Sequence, residues 1–370
     1  AWGDDALASP DEEVDVGNAW GSDEDLGLGD LDLPAASSES QPVDESVVTP
    51  GEGYARRWLR NRKLVPDLIA AGDFDEALAT LQRRIGLINA APLKPFFEEI
   101  YSATRCSLPA LPLEPSIGLP VVTPSSKLGV PGAEIEPAGL FTVQFLLGKL
   151  REGHKLTTMG KFGDSLDVFR YVRRVLQACT MATAANSEEE AQLTEFIEVC
   201  SQYVQGMRLE TNRRELPHDQ VSRSLELSAY FTCVNLQPSH HLLTLRAAMT
   251  QNFKAHNYLT AANMARRLML GNFGASKTPE VVNQARKILA LCEQRGTDAH
   301  EINFDSNDTD PRLIICSRTM TVINPSRGEA LVRCPYCNAN YKAQYAGSLC
   351  DVCQLSEIGS RVLGVQFRPL

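Results

Sequence analysis

Four of the ten cysteines are spaced for metal chemistry. Cys334-Pro335-Tyr336-Cys337 and Cys350-Asp351-Val352-Cys353 are two C-x2-C pairs separated by twelve residues. A C-x2-C segment can close into a knuckle whose backbone amides support both thiolates, and two facing knuckles build a tetrahedral sulfur site that suits zinc. All four positions are then filled by protein, with no open place for a substrate or an activated water. The expected metal is therefore one structural Zn2+ held by Cys334, Cys337, Cys350 and Cys353. The gap Asn338–Leu349 has room for a hairpin, with Gly347 available for its turn. A RING-like centre with two metals is excluded on ligand count, because no His follows His300 and only Cys316 adds a thiol to this region.

The other reactive side chains form no such pattern. His240-His241 follows Gln237-Pro238-Ser239 at the start of a helix. Neighbours on a helix point about 100° apart, so one ring is expected in contact and the other in solvent. Cys106, Cys179, Cys200, Cys233, Cys292 and Cys316 stand singly in apolar or helical surroundings and read as inert buried thiols. There is no phosphate-binding P-loop, G-x-S-x-G or H-E-x-x-H pattern, and no spacing pairs two carboxylates for acid–base work. The expectation is a protein that is not an enzyme. Without a secretory signal the thiols read as reduced and metal-binding rather than as a disulfide framework.

The cysteine pairs need a frame, and the texture after about His300 suggests one. Leu313-Ile314-Ile315-Cys316, Thr321-Val322-Ile323, Ala330-Leu331-Val332 and Val362-Leu363-Gly364-Val365 are short apolar runs with polar punctuation, which read as strands. Residues 300–370 are expected to form a small β-rich, zinc-ribbon-like module. So short a tail has little core of its own. Structural zinc in finger peptides contributes on the order of 10–16 kcal/mol near neutral pH, so metal loss should unfold it.

Ahead of it, residues 54–299 read as a mainly α domain. Apolar positions between Leu64 and Leu87 recur at helical spacing, and further helices are expected over Leu140–Leu156, Asp164–Met181, Glu188–Glu215, Ser222–Cys233, His240–Lys254, Thr260–Leu270 and Glu280–Gln294. Gly72-Asp73-Phe74-Asp75-Glu76-Ala77-Leu78 reads as a turn between two helices, with Gly72 ending one and Asp73 capping the next. The arrangement recurs from Gly160 to Leu166 and, more loosely, from His256 to Ala262. The copies lie 88 and 96 residues apart, unlike the fixed 34-residue period of a TPR array. Irregular helical hairpins in an α-solenoid-like domain follow. Seven of the 21 prolines fall within 106–137, which excludes a long helix there and points to an extended segment laid along a groove.

Charge divides the chain again. Residues 1–53 hold 15 Asp or Glu and no Lys or Arg, so the net charge of -10 leaves +5 for the rest. Such a composition cannot bury enough apolar surface to offset the entropy of ordering, and 1–53 reads as an acidic disordered linker. It carries a short repeat, Ala1-Trp2-Gly3-Asp4-Asp5 and Ala19-Trp20-Gly21-Ser22-Asp23-Glu24-Asp25. The nearly balanced remainder lacks the basic block that supplies nucleic-acid affinity. No apolar run reaches the length of a membrane span, so a membrane role would be peripheral. The first residue is Ala1 and the chain opens inside the acidic run, which reads as a piece of a longer protein.

Several unrelated blocks, in order, resemble the C-terminal region of the coatomer alpha family. They include Leu156-Thr157-Thr158-Met159-Gly160-Lys161-Phe162, Ala229-Tyr230-Phe231-Thr232, Asn235-Leu236-Gln237-Pro238, Ala265-Arg266-Arg267-Leu268, Ala285-Arg286-Lys287-Ile288-Leu289, and Cys334-Pro335 followed by Glu357-Ile358-Gly359. The resemblance implies a structural subunit of the COPI vesicle coat whose C-terminal region binds the TPR-type epsilon subunit. It implies service in Golgi-to-ER and intra-Golgi transport, with contacts to other coatomer subunits through N-terminal regions. The place implied is the cytoplasm and the cytosolic face of Golgi membranes and COPI-coated vesicles. Cargo recognition in the family belongs to N-terminal propellers, and no cargo-binding residue is carried over. The alternative is a zinc-ribbon nucleic-acid-binding adaptor using Arg312, Arg318, Arg327, Arg333, Lys342, Arg361 and Arg368, although no aromatic stripe accompanies them.

Overall fold

A computed structural model describes residues 64–108, 117–120, 122–123, 136–137, 143–178, 187–308, 311 and 313–364. The acidic linker, most of the proline-rich stretch, Arg312 and Arg368 lie outside the described residues. Ten α-helices occur among those described: α1 Val65–Ala71, α2 Phe74–Ile85, α3 Lys94–Ala103, α4 Val143–Thr158, α5 Phe162–Ala178, α6 Ser187–Glu215, α7 Val221–Phe231, α8 Pro238–Lys254, α9 Tyr258–Leu270 and α10 Pro279–Arg295. The fold is mainly α with a small sheet near the C-terminus. The described residues divide into two units, with boundaries inside α4, α5 and α6 and another just before Leu313.

The three expected hairpin turns share one set of hydrogen bonds. Gly72 N–H donates to Ile69 O and Asp73 N–H to Leu68 O, at 3.0 and 2.9 Å. Gly160 and Lys161 bond Thr157 and Leu156 in the same way, and His256 and Asn257 bond Phe253 and Asn252. This is the Schellman termination, which satisfies the last carbonyls of a helix and needs a left-handed residue at the turn. Gly72 and Gly160 supply it at φ 87° and 71°, while His256 adopts it at φ 61° against its Cβ. Asp73 then caps α2 through the Glu76 N–H.

The unit containing residues 209–308 is built on α7 to α10. Its core alternates small and large side chains, with Ala229, Ala248, Ala265 and Ala285 beside Leu242, Leu245, Met249, Met264, Leu268 and Phe273. The alanines let the backbones approach, and the larger residues fill the space between them. The segment after α10 straps this bundle. The Asp298 carboxylate accepts the Leu259 and Thr260 N–H groups, capping α9 from a distance in sequence. The Asn257 side chain exchanges hydrogen bonds with the His300 backbone, and the Asn263 amide donates to Ser306 O and Asp308 O.

The other unit holds α1 to α3, most of α4 to α6, and residues 313–364. Helix α3 was not expected from the sequence. Pro92 and Pro95 suggest a break, but Pro95 occupies the first turn of α3, where its missing N–H costs nothing. The Phe74 ring lies 6.3 Å from that of Phe97 and 5.3 Å from that of Tyr101. Within 106–137 the described pieces are strands: β1 Arg105–Leu108 pairs antiparallel with β2 Ile117–Pro120, and β3 Val122–Thr123 with β4 Glu136–Pro137.

The last segment has less strand than its apolar runs suggest. Strands β5 Leu331–Arg333 and β6 Asn340–Lys342 pair antiparallel, while Ile315 and Val322 form a single bridge. The expected strand at Val362 is irregular over its described residues. Leu363 and Gly364 instead give their N–H groups to the Arg83 and Arg84 carbonyls. Those carbonyls lie in the last turn of α2, where no partner exists within the helix, so the tail finishes the helix instead of a sheet.

Candidate metal centre

The first C-x2-C pair is the turn between β5 and β6. Cys334 N–H donates to Ala339 O, and Asn338 N–H donates back to Cys334 O, both at 3.0 Å. The second pair repeats this geometry, with Cys350 N–H on Ser356 O at 3.0 Å and Gln354 N–H on Cys350 O at 2.8 Å. In each, the residue after the second cysteine is left-handed, Asn338 at φ 54° and Gln354 at φ 60°. The expected hairpin therefore encloses the first knuckle instead of filling the gap between the pairs. Gly347, at φ 80°, places its N–H on Ile358 O in the loop leading to the second knuckle.

The four cysteines are buried, and their sulfur atoms all lie within 4.8 Å of one another. Cys334 Sγ is 3.8 Å from Cys353 Sγ, and Cys337 Sγ is 3.4 Å from Cys350 Sγ. A disulfide requires about 2.05 Å. A tetrahedron with zinc–sulfur bonds of about 2.3 Å has edges near 3.8 Å. The geometry is compatible with a zinc site and not with two disulfides. Burial pushes the Cys337 thiol well up, whereas for Cys353 the hydrogen bonds of its three neighbours and the Arg173 charge outweigh burial and pull it well down. Four thiols this close cannot all ionise without a cation among them.

Surrounding side chains orient the sulfurs. The Tyr341 hydroxyl accepts the Asp351 N–H at 2.9 Å, which leaves its proton free for Cys350 Sγ at 3.1 Å. Cys353 N–H points to Cys350 Sγ at 3.5 Å. Tyr336, inside the first knuckle, donates its hydroxyl to Arg173 O on α5 at 2.6 Å. Arg174 donates to the Gln354 side chain at 2.6 Å, and the turn after α2 reaches the same knuckle through Ile88 N–H and Asn89 N–H on Leu355 O. The knuckles thus lie on α5 and on the α2–α3 connection.

A third turn of the same form was missed from the sequence. Met320 N–H donates to Cys316 O at 2.8 Å, and Met320 is left-handed at φ 54°. Cys316-Ser317-Arg318-Thr319 therefore has the shape of a knuckle with Thr319 where the second cysteine would stand. Arg318 from this turn reaches the second C-x2-C knuckle, bonding Asp351 at 2.8 Å, Ser348 at 3.2 Å and Leu349 O at 2.9 Å. One of the arginines of the nucleic-acid alternative is therefore engaged within the protein. The readable signal was a lone Cys with Thr three residues on.

The histidine pair is not a site. His240 is buried with Nε2 2.9 Å from Thr158 Oγ1, while His241 Nε2 lies 3.0 Å from Thr232 O and its ring meets Phe273 edge-on. The solvated member expected of the pair is thus in contact too. Burial, then the Arg267 charge, lowers the His241 pKa.

The family described as the C-terminus of the coatomer (COPI) alpha subunit matches residues 2–370. The chain belongs to this coatomer alpha C-terminal family. It is 34% identical to coatomer subunit alpha of Dictyostelium discoideum over 325 residues, which cover 86% of the chain and 25% of that relative. Coatomer subunit alpha-1 of Arabidopsis thaliana is 32% identical over 366 residues, 98% of the chain and 29% of the relative. Coatomer subunit alpha of Saccharomyces cerevisiae is 29% identical over 374 residues, 97% and 29%. The chain thus spans between a quarter and a third of the length of these coatomer relatives. No described helix is long and apolar enough to cross a membrane.

Proposed function

We propose that this chain is a structural, non-catalytic part of the COPI vesicle coat. Its C-terminal region binds the coatomer epsilon subunit and carries one structural zinc on Cys334, Cys337, Cys350 and Cys353. The match of the coatomer alpha C-terminal family across residues 2–370 carries this reading. The protein acts from the cytoplasm at Golgi membranes and COPI vesicles, supports Golgi-to-ER and intra-Golgi transport, and reaches the membrane only through the assembled coat.

The chain's own residues explain how such a scaffold keeps its end ordered. When bound, zinc would join the two knuckles by four bonds without offering a reactive position. Tyr341 and the knuckle amides orient the sulfurs, Tyr336 and Arg174 fasten the knuckles to α5, and Leu355 fastens the second to the turn after α2. The helices, not a pocket of convergent acids and bases, supply the surface for protein partners. For the epsilon subunit, the proline-rich stretch 106–137 and the three hairpin turns are the candidate contacts.

Size-exclusion chromatography with light scattering, on the chain alone and mixed with the coatomer epsilon subunit, tests the partner. A one-to-one complex is expected, and two independent peaks from folded proteins would reject it.

A further inference from the structure

Arg173 on α5 is buried, at 2% exposed, on a helix whose Val172 and Val175 are buried as well. Its Nη1 donates to Ser201 Oγ at 3.3 Å, and its guanidinium lies 5.3 Å from the centre of the Tyr336 ring. Its Nη2 is buried without a hydrogen-bond partner. A buried guanidinium needs an anion, because its removal from water is costly unless an opposite charge compensates it. On the same helix Arg170 and Arg174 add two cations close to it, against the carboxylate of Asp167, which acts on both. Burial works against the Arg173 charge, and the groups near enough to favour it are Cys337, Cys353, Tyr336 and Cys350 in their ionised forms.

A dication held by four thiolates remains anionic, so the filled centre would present negative charge inside the fold. We propose that Arg173 is the built-in counter-ion of the filled tetrathiolate, a positioning residue that couples occupancy of the centre to the packing of α5 against α6. This rests on the zinc reading above and goes beyond it. The paired features explain each other: a buried cation that makes no ion pair with a carboxylate among the described residues, and a buried cysteine cluster whose ligated form is an anion. The coupling runs through direct contacts. The Tyr336 hydroxyl bonds the Arg173 carbonyl, and Arg173 reaches Ser201 on α6, whose hydroxyl bonds Ile197 O at 2.6 Å. An emptied centre keeps Cys353 held down beside Arg173 but loses the rest of the ligated anionic charge, which leaves the buried guanidinium less fully compensated. Segment 170–176 of α5 should then open.

The test compares zinc affinity, by competition with a chromogenic chelator, in the 370-residue chain and its Arg173→Met and Arg173→Lys variants. Loss of a group beside a metal's ligands commonly lowers affinity by about 10–100-fold, and that is the expected effect of Met. Lys, which keeps the charge without the guanidinium shape, should recover most of it. Equal affinity in wild type and Met, or equal losses in Met and Lys, would overturn the proposal while leaving the zinc reading intact. A wild-type chain that retains no zinc would instead overturn the zinc reading and the proposal with it. A second measurement needs no substitution. Stripping the metal from the wild-type chain should raise hydrogen exchange in α5 around Arg173, and unchanged protection there would overturn the coupling even if the Met variant fails to fold.

Discussion

The Tyr341 hydroxyl stands 3.1 Å from the Cys350 sulfur while accepting the Asp351 N–H at 2.9 Å. One oxygen thereby fixes both a cysteine sulfur and the backbone of the knuckle that carries it. Tyr341→Phe keeps the ring and removes only that oxygen, leaving the Asp351 N–H without its partner. The expected result is a fall of about tenfold in zinc affinity and a loss of about 1–3 kcal/mol of stability, read by chelator competition and urea unfolding.

Metal removal should act beyond the cysteines. Ile88 and Asn89 bond Leu355 O, and Leu363 and Gly364 bond the last turn of α2. Chelation of the wild-type chain is expected to raise hydrogen exchange in the second knuckle and at Ile88 and Asn89 together. Unchanged protection at those two amides would mean that the turn after α2 does not depend on the centre.

His154 sets a pH dependence. Its ring lies 5.5 Å from that of Phe169 and 4.8 Å from that of Tyr203, and burial pushes its pKa down to about 4. The folded protein holds the ring neutral where the unfolded chain protonates it near pH 6.5. This contribution is complete above about pH 6.5 and is lost as pH falls towards 4, with a limit on the order of 3 kcal/mol. His154→Phe should give a flatter stability profile across that window in denaturant titrations. Identical slopes for both proteins would assign the acid loss to other groups, including the thiolates.

In the α7–α10 unit the buried Arg267 gives two hydrogen bonds to one residue, Nη1 to Thr232 Oγ1 and Nη2 to Thr232 O, each at 2.7 Å. Thr232→Val preserves shape but removes the side-chain acceptor. A cost of about 1–3 kcal/mol is expected in urea unfolding, with Thr232→Ser close to wild type. Equal stability of Val and Ser would show that the hydroxyl contributes nothing.

The cysteine centre and the hairpin turns were legible because each is local: C-x2-C specifies a knuckle within four residues, and Gly72 or Gly160 marks a left-handed helix end. Arg173 and Tyr341 could not be read this way. Arg173 is far upstream of the cysteines and looks like any helical arginine, and only tertiary packing brings it to Tyr336. Helix α3 was hidden because Pro95 is permitted in the first turn but resembles a breaker anywhere else. The apolar run at Val362 misled for the opposite reason. Its pattern suits a strand, but its backbone finds partners at the end of α2. The third knuckle was half-legible, since Cys316 was visible and the shape of its turn was not.

Cys334, Cys337, Cys350 and Cys353 are proposed to hold one zinc. Native mass spectrometry of the purified chain, before and after chelation, measures this directly. One zinc per chain is expected, lost on chelation and absent from a Cys337→Ala, Cys350→Ala double variant. A folded wild-type chain that carries no zinc after exposure to it under reducing conditions would contradict the account.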